Sequence, residues 1–86
     1  MNQNFTLLLR SWAIISEIFG IRLKKSRLNS GLTQAQLANK LKVSASTIGM
    51  YEQGRREPDN YIFTKICQEL RVSGDYLLNI KSNFYN

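Results

Sequence analysis

The chain has 86 residues, 43% of them hydrophobic, and carries a net charge of +6 with no histidine. This length predicts one domain whose core is just large enough to fold alone, and the ordinary composition excludes a repeat or low-complexity architecture. Because Cys67 is the only cysteine, an internal disulfide and a conventional zinc site are excluded, and we expect a reducing, cytoplasmic setting.

The first segment, residues 1–19, is predicted to be an apolar helical extension. Its apolar residues recur at spacings of three and four, which favours a helix with one apolar stripe. The segment is too short to span a membrane and is also interrupted by charged and polar residues. We expect it to pack on the domain or on a second copy. The stripe consists of Phe5, Leu8, Leu9, Trp12, Ile15 and Phe19, whereas Leu7, Ile14 and Ile18 fall off it.

Gly20 predicts a break that separates this extension from the main domain, residues 20–80. The next apolar and basic residues indicate a short helix that ends near Asn29, with Gly31 suited to a left-handed C-terminal cap.

Two helix-start signatures follow one another between residues 33 and 54. Thr33 with Gln36 three residues later forms a capping box, and Ser44 repeats the N-cap signal for a second helix. Only about three residues separate the two helices, which is typical of a two-helix DNA-reading unit.

Two further helices are predicted after this pair. Asp59 is a plausible N-cap for one helix, and Ser73 or Gly74 begins a short final helix. Residues 81–86 lack a clear period and form a tail that is expected to fray. The chain is therefore predicted to be an all-α bundle.

The positive charge is concentrated around the two capped helices. Residues 22–56 hold eight basic side chains against Glu52 alone, a balance of +7, so the rest of the chain sums to −1. A basic block at this place indicates a phosphate-backbone partner, although a merely solvated basic face would give the same count.

The helix after Ser44 has two predicted faces. At 100° per residue, Thr47, Ile48, Tyr51 and Glu52 share the side expected to be buried. The opposite face is small and nearly uncharged, so it suits close approach to a major groove. Its members are Ala45, Ser46, Gly49, Met50 and Gln53. Gly49 either permits close approach to DNA or is simply tolerated.

Three further side chains are placed to hold phosphates. Gln34 opens the preceding helix, where free backbone amides attract anions. Arg55 and Arg56 follow the second helix, and the arginine fork can form paired bonds to phosphate oxygens.

The segment GLTQAQLANKLKVSASTIGMYEQGRREP closely resembles the helix-turn-helix of Cro and C1-type repressors, the XRE family, and the likeness runs from about Gly20 to Leu78. The resemblance implies a five-helix, lambda-repressor-like bundle that binds DNA as a dimer. Lys42 and Arg71 stand where the family usually has left-handed glycines. Implied base contacts come from Ala45, Ser46, Gly49 and Met50, implied phosphate contacts from Gln34, Thr47, Gln53 and Arg55, and an implied structural ion pair from Arg27 and Glu52.

The expected function is sequence-specific binding of double-stranded DNA by a small transcriptional regulator, more plausibly a repressor than an activator. A homodimer on a pseudo-palindromic operator is expected. The alternatives are an antitoxin that also binds a protein partner through residues 1–19, and an interaction module that has lost DNA binding. An enzyme is not expected, because there is no histidine and the carboxylates are dispersed, and neither a cofactor nor a metal is predicted.

Overall fold

A computed structural model describes the backbone of residues 3–80 and the side chains of residues 13–80. This part of the chain forms five α-helices and no strands, which confirms the predicted all-helical bundle. The predicted tail, residues 81–86, and the apolar side chains before residue 13 lie outside the described residues. The helices are α1 (Gln3–Asn29), α2 (Gln34–Leu41), α3 (Ala45–Glu52), α4 (Asn60–Leu70) and α5 (Gly74–Leu78).

Helix α1 runs unbroken for 27 residues, so the prediction of a break at Gly20 is wrong. A Cβ atom added at Gly20 would lie 2.5 Å from the backbone oxygen of Glu52 and 2.6 Å from that of Tyr51. Glycine is required because the end of α3 packs directly on the α1 backbone. The N-terminal extension is therefore the first part of α1, and the proposed boundary between residues 19 and 20 falls inside that helix.

The predicted N-caps are all present. The Thr33 hydroxyl accepts a bond of 3.1 Å from the Gln36 amide, and the Gln36 side chain accepts one of 2.9 Å from the Thr33 amide. Ser44, Asp59 and Ser73 each accept a bond from the amide three residues later. Side-chain caps of this kind stabilise a helix start by about 1 kcal/mol each, so the sequence determines locally where four of the helices begin.

A left-handed residue lies at or just after the end of each of the five helices. Gly31 has φ of 72°, and the Leu32 amide bonds the Arg27 carbonyl across it, as in a Schellman motif. Lys42 at the end of α2 has φ of 58°, and Arg71 at the end of α4 has φ of 54°. The left-handed backbone is thus kept at both positions without glycine.

All five helices contribute to one core. Helix α3 packs against both α1 and α2, and α5 packs against α1. None of the helices within residues 3–80 combines the length and the apolar character needed to cross a bilayer. The buried apolar residues are Phe19, Leu23, Leu37, Ala38, Leu41, Ile48, Tyr51, Ile66, Leu70 and Leu77.

Candidate nucleic-acid interface

The turn between α2 and α3 is short and firmly held. Lys42 takes the left-handed conformation, and the Val43 amide bonds the Ala38 carbonyl at 3.0 Å. Leu41 before the turn and Ile48 after it are both buried in the core. The two helices therefore pack against each other as one unit, and α3 begins at its Ser44 cap.

The two faces of α3 divide as the helical wheel predicts. Thr47, Ile48 and Tyr51 are buried, and the Glu52 side chain is only 3% exposed. On the opposite side Ala45, Ser46 and Gln53 are exposed, and Gly49 and Met50 are partly exposed. We call these five outward residues the reading face.

A chain of hydroxyl groups joins the two faces at the start of α3. The Ser44 hydroxyl lies 2.7 Å from that of Thr47 and 3.0 Å from that of Ser46. Thr47 is 8% exposed and its hydroxyl already supports the cap. Of the three, Ser46 is the hydroxyl on the reading face, and it is oriented by Ser44. The phosphate contact implied for Thr47 stays a prediction.

The structure pairs Arg27 with Glu52 inside the protein. The guanidinium Nε lies 2.6 Å from Oε2 and Nη2 lies 3.0 Å from Oε1, while Nη1 donates to the Leu32 carbonyl at 2.8 Å. The hydrogen bond to Glu52 raises the pKa of Arg27, although burial acts in the opposite direction. The pair fixes the end of α3 to the end of α1, and its two side chains are only 7% and 3% exposed.

Gln34 has a partner that sequence reasoning missed. Its Nε2 donates to Glu52 Oε1 at 3.1 Å, so Gln34, Glu52 and Arg27 form one network. The same amide lies beside Gly49, where an added Cβ would be 3.7 Å from Nε2. The start of α2 is therefore bonded to Glu52 on the inner side of α3, and the same amide lies next to Gly49 on the reading face. The signal for this contact lies in the crossing of the two helices and not in residue spacing.

The loop after α3 presents the two arginines from a constrained turn. Gly54 has φ of 71°, and a Cβ there would lie 3.3 Å from Glu17 Cα and from the Ser16 carbonyl. The turn is thus seated against α1. Arg55 and Arg56 follow it with exposed side chains, next to exposed Gln53.

The basic block divides into structural and exposed members. Arg27 is buried in its ion pair, and Arg22 donates to the Tyr76 carbonyl and lies 4.7 Å from the centre of the Tyr76 ring. The other six basic side chains of residues 22–56 are exposed. They are Lys24, Lys25, Lys40, Lys42, Arg55 and Arg56.

The profile of the helix-turn-helix family matches residues 23–77, which is more than half of the chain. The chain belongs to the XRE-type helix-turn-helix family. The confirmed family gives this chain the DNA-binding fold found in transcriptional regulators. Because that family is non-enzymatic, the prediction that the chain is not an enzyme is also confirmed.

Several regulators resemble this member of the XRE-type family. The SPbeta prophage-derived uncharacterized HTH-type transcriptional regulator YonR of Bacillus subtilis is 43% identical over 61 residues, covering 71% of this chain and 56% of YonR. The HTH-type transcriptional regulator ImmR of the same organism is 39% identical over 59 residues, covering 69% of this chain and 46% of ImmR. The chain thus spans about half the length of these two relatives.

A solved structure agrees with the sequence comparison. The crystal structure of the clp gene regulator ClgR from C. glutamicum superposes with a TM-score of 0.70 at 27% identity, covering 77% of this chain and 85% of ClgR. The fold over 77% of this chain is therefore shared with a known gene regulator.

Proposed function

We propose that this chain is a sequence-specific double-stranded DNA-binding regulator that acts in the cytoplasm as a repressor. The observation that carries the proposal is the reading face, a small and uncharged helix surface with exposed basic side chains nearby. A major groove about 12 Å wide admits a helix, and no charged or aromatic side chain on this face opposes entry. Repression needs no surface beyond the DNA contacts, because an occupied promoter excludes polymerase.

Two kinds of contact are proposed. Ala45, Ser46, Gly49 and Met50 face base edges, where the Ser46 hydroxyl hydrogen-bonds and Ala45 or Met50 meets a thymine methyl group. Phosphates are held by Gln34, Thr47, Gln53, Arg55 and Arg56. The start of α2 adds the positive end of its helix dipole at Gln34.

A homodimer is proposed as the binding species. Two copies related by a two-fold axis would place their recognition helices about 34 Å apart, one turn of DNA, so the proposed operator is a pseudo-palindrome. The six exposed basic side chains oppose the alternative of an interaction module without DNA binding.

The test is selection from a randomised duplex pool, followed by fluorescence-anisotropy titration at several salt concentrations. We expect a palindromic sequence to be enriched, and Ser46→Ala to change the selected bases. Arg55→Ala and Arg56→Ala should each make the slope of log affinity against log salt less steep, by about 0.9 for each subunit that loses a phosphate contact and so by about 1.8 for the dimer, whichever sequence is bound.

Arg71→Ala is the matched control, because it removes a basic side chain at the end of α4, outside the α2–α3 unit. It should leave the selected sequence and the salt slope unchanged. Weak binding without enrichment or salt dependence would contradict the proposed function and favour a protein partner.

A further inference from the structure

The side of α1 that faces away from the core carries a row of apolar side chains. Ile14, Ile21 and Leu28 are 53%, 60% and 57% exposed, Ile18 between them is partly exposed, and the exposed Lys25 lies on the same side between Ile21 and Leu28. At 100° per residue the four apolar positions lie opposite the buried face of the helix. We call Ile14, Ile18, Ile21 and Leu28 the outer stripe. The buried face contains Ser16, Phe19, Gly20, Leu23, Ser26 and Arg27.

The spacing of the outer stripe indicates a helical partner. Ile14, Ile21 and Leu28 are seven residues apart, and Leu7 continues this spacing in the sequence. A seven-residue apolar repeat keeps one seam facing a neighbouring helix, as in coiled coils. Between Ile14 and Leu28 the seam is about 21 Å long at 1.5 Å per residue. Large apolar side chains scattered singly need no explanation, but a repeat on one helix face marks an interaction site.

The charged residues beside the outer stripe favour a second copy of this chain, in antiparallel orientation, as the partner. Glu17 and Lys24 are both exposed, and their separation of seven residues places them on the same side of the stripe. Two antiparallel copies of α1 centred near Ile21 would bring each Glu17 level with Lys25 of the second copy, and within about 1.5 Å of the level of its Lys24. A parallel pair in register would instead place like charges at the same level.

We infer that the outer stripe is the surface through which two copies of this chain dimerise, with their α1 helices antiparallel and crossing near Ile21. The inference extends the proposed function by assigning the surface that the proposed homodimer uses. Since α3 packs on the opposite face of α1, this pairing leaves both reading faces uncovered.

The first test is sedimentation velocity without DNA. We expect the wild-type chain to dimerise, and Ile21→Lys to raise the dimer dissociation constant more than roughly tenfold, because a buried isoleucine at the two-fold axis is lost from both copies. Tyr61→Lys is the matched control, since Tyr61 is 67% exposed on α4 and lies off the stripe. Its dissociation constant should equal that of the wild type.

The second test establishes direction. Glu17→Lys should weaken the dimer, and Glu17→Lys combined with Lys24→Glu should restore it. In a Cys67→Ser background, a short bismaleimide should crosslink the Ile14→Cys, Leu28→Cys double variant efficiently. Ile14→Cys alone should not crosslink, because two copies of residue 14 would be about 21 Å apart along the helix axes. Crosslinking of Ile14→Cys alone would overturn the antiparallel arrangement.

The proposed dimer surface on α1 and the proposed DNA binding through α3 can be contradicted independently. A wild-type chain that stays monomeric at 100 micromolar, or a dimer unaffected by Ile21→Lys, would overturn the inference even if DNA binding persists. Binding of the monomeric wild type to vesicles of anionic phospholipid would also overturn it, by assigning the stripe to a membrane surface. Circular dichroism of Ile21→Lys verifies its fold, and its affinity for a duplex with one half-site should match that of the wild type.

Discussion

The two sides of α3 are built from opposite kinds of contact. The inner side holds buried Ile48 and Tyr51, together with a carboxylate, Glu52, whose oxygens bond to Arg27 and Gln34. The outer side carries short or flexible side chains that leave the helix backbone accessible. The short helix α3 therefore combines a surface that fixes its position with a surface that is available for binding.

This difference predicts which measured property a substitution on each side of α3 should change. Changes on the inner side remove packing or leave a buried charge unpaired, so they should appear in the free energy of unfolding. Changes on the outer side alter few internal contacts and should appear mainly in DNA affinity.

The largest expected effect follows from Arg27→Met. It leaves the Glu52 carboxylate buried without its cation, which should lower the free energy of unfolding by about 3–5 kcal/mol. This loss is a large part of the stability of a small domain. Thermal and urea denaturation followed by circular dichroism measure it.

The control for this prediction is Arg27→Met combined with Glu52→Met. An apolar pair of similar volume removes the unpaired charge, so most of the lost stability should return. A double variant no more stable than Arg27→Met would show that the free energy of unfolding is lost with the ion pair itself and not because the carboxylate is left unpaired.

The left-handed caps allow a second comparison, between Lys42 beside the reading face and Arg71 far along the chain. Replacement of either by glycine should stabilise the protein by about 1 kcal/mol, because glycine adopts φ near 55° without the Cβ strain. Lys42→Gly should also weaken DNA binding at low salt through the lost charge. Arg71→Gly should raise the melting temperature and leave DNA affinity unchanged, and equal effects of the two on affinity would contradict this distinction.

Gly49→Ala sharpens the comparison on the outer side. An added Cβ meets only the Gln34 amide at ordinary van der Waals distance, so the variant should be more stable by about 1 kcal/mol through its higher helix propensity. The same methyl group stands on the reading face and should weaken binding to the selected operator. If affinity is unchanged, Gly49 is a tolerated glycine with no part in close approach.

The smallest effect concerns the pH dependence of stability. Burial raises the pKa of Tyr51 above its ordinary value of 10.0, with a smaller opposing influence from Arg56. Because the folded state favours the neutral phenol, this contribution is complete below pH 10 and is lost as the pH rises through the raised pKa. The free energy of unfolding should therefore fall above about pH 10, and fall less in Tyr51→Phe. Identical alkaline profiles for the two proteins would contradict the prediction.

Local features of the fold were predictable because each depends on neighbours in sequence. Thr33, Ser44 and Asp59 were identified as N-caps from residue type and spacing alone. Gly20 was misread because a glycine inside a helical pattern marks either a break or a close approach, and only the position of α3 decides between them.

The candidate site divides in the same way. Periodicity was sufficient to separate the buried and exposed sides of α3, since that division needs only one helix. The bond between Gln34 and Glu52 depends on how α2 crosses α3, and the structural use of Arg22 depends on where α5 lies. Those relations are set by tertiary packing. The charge of residues 22–56 could therefore be counted from the sequence, but which basic side chains are structural and which are exposed could not be predicted.

The contact of Gly20 with the end of α3 fixes the rotation of α1 about its own axis relative to α3. A single residue inserted upstream of Gly20 would turn everything before it by 100° and move it by 1.5 Å, whereas seven inserted residues would nearly restore the original direction about 10 Å farther away. The number of residues between Gly20 and a position near the start of α1 therefore sets the direction of that position relative to α3.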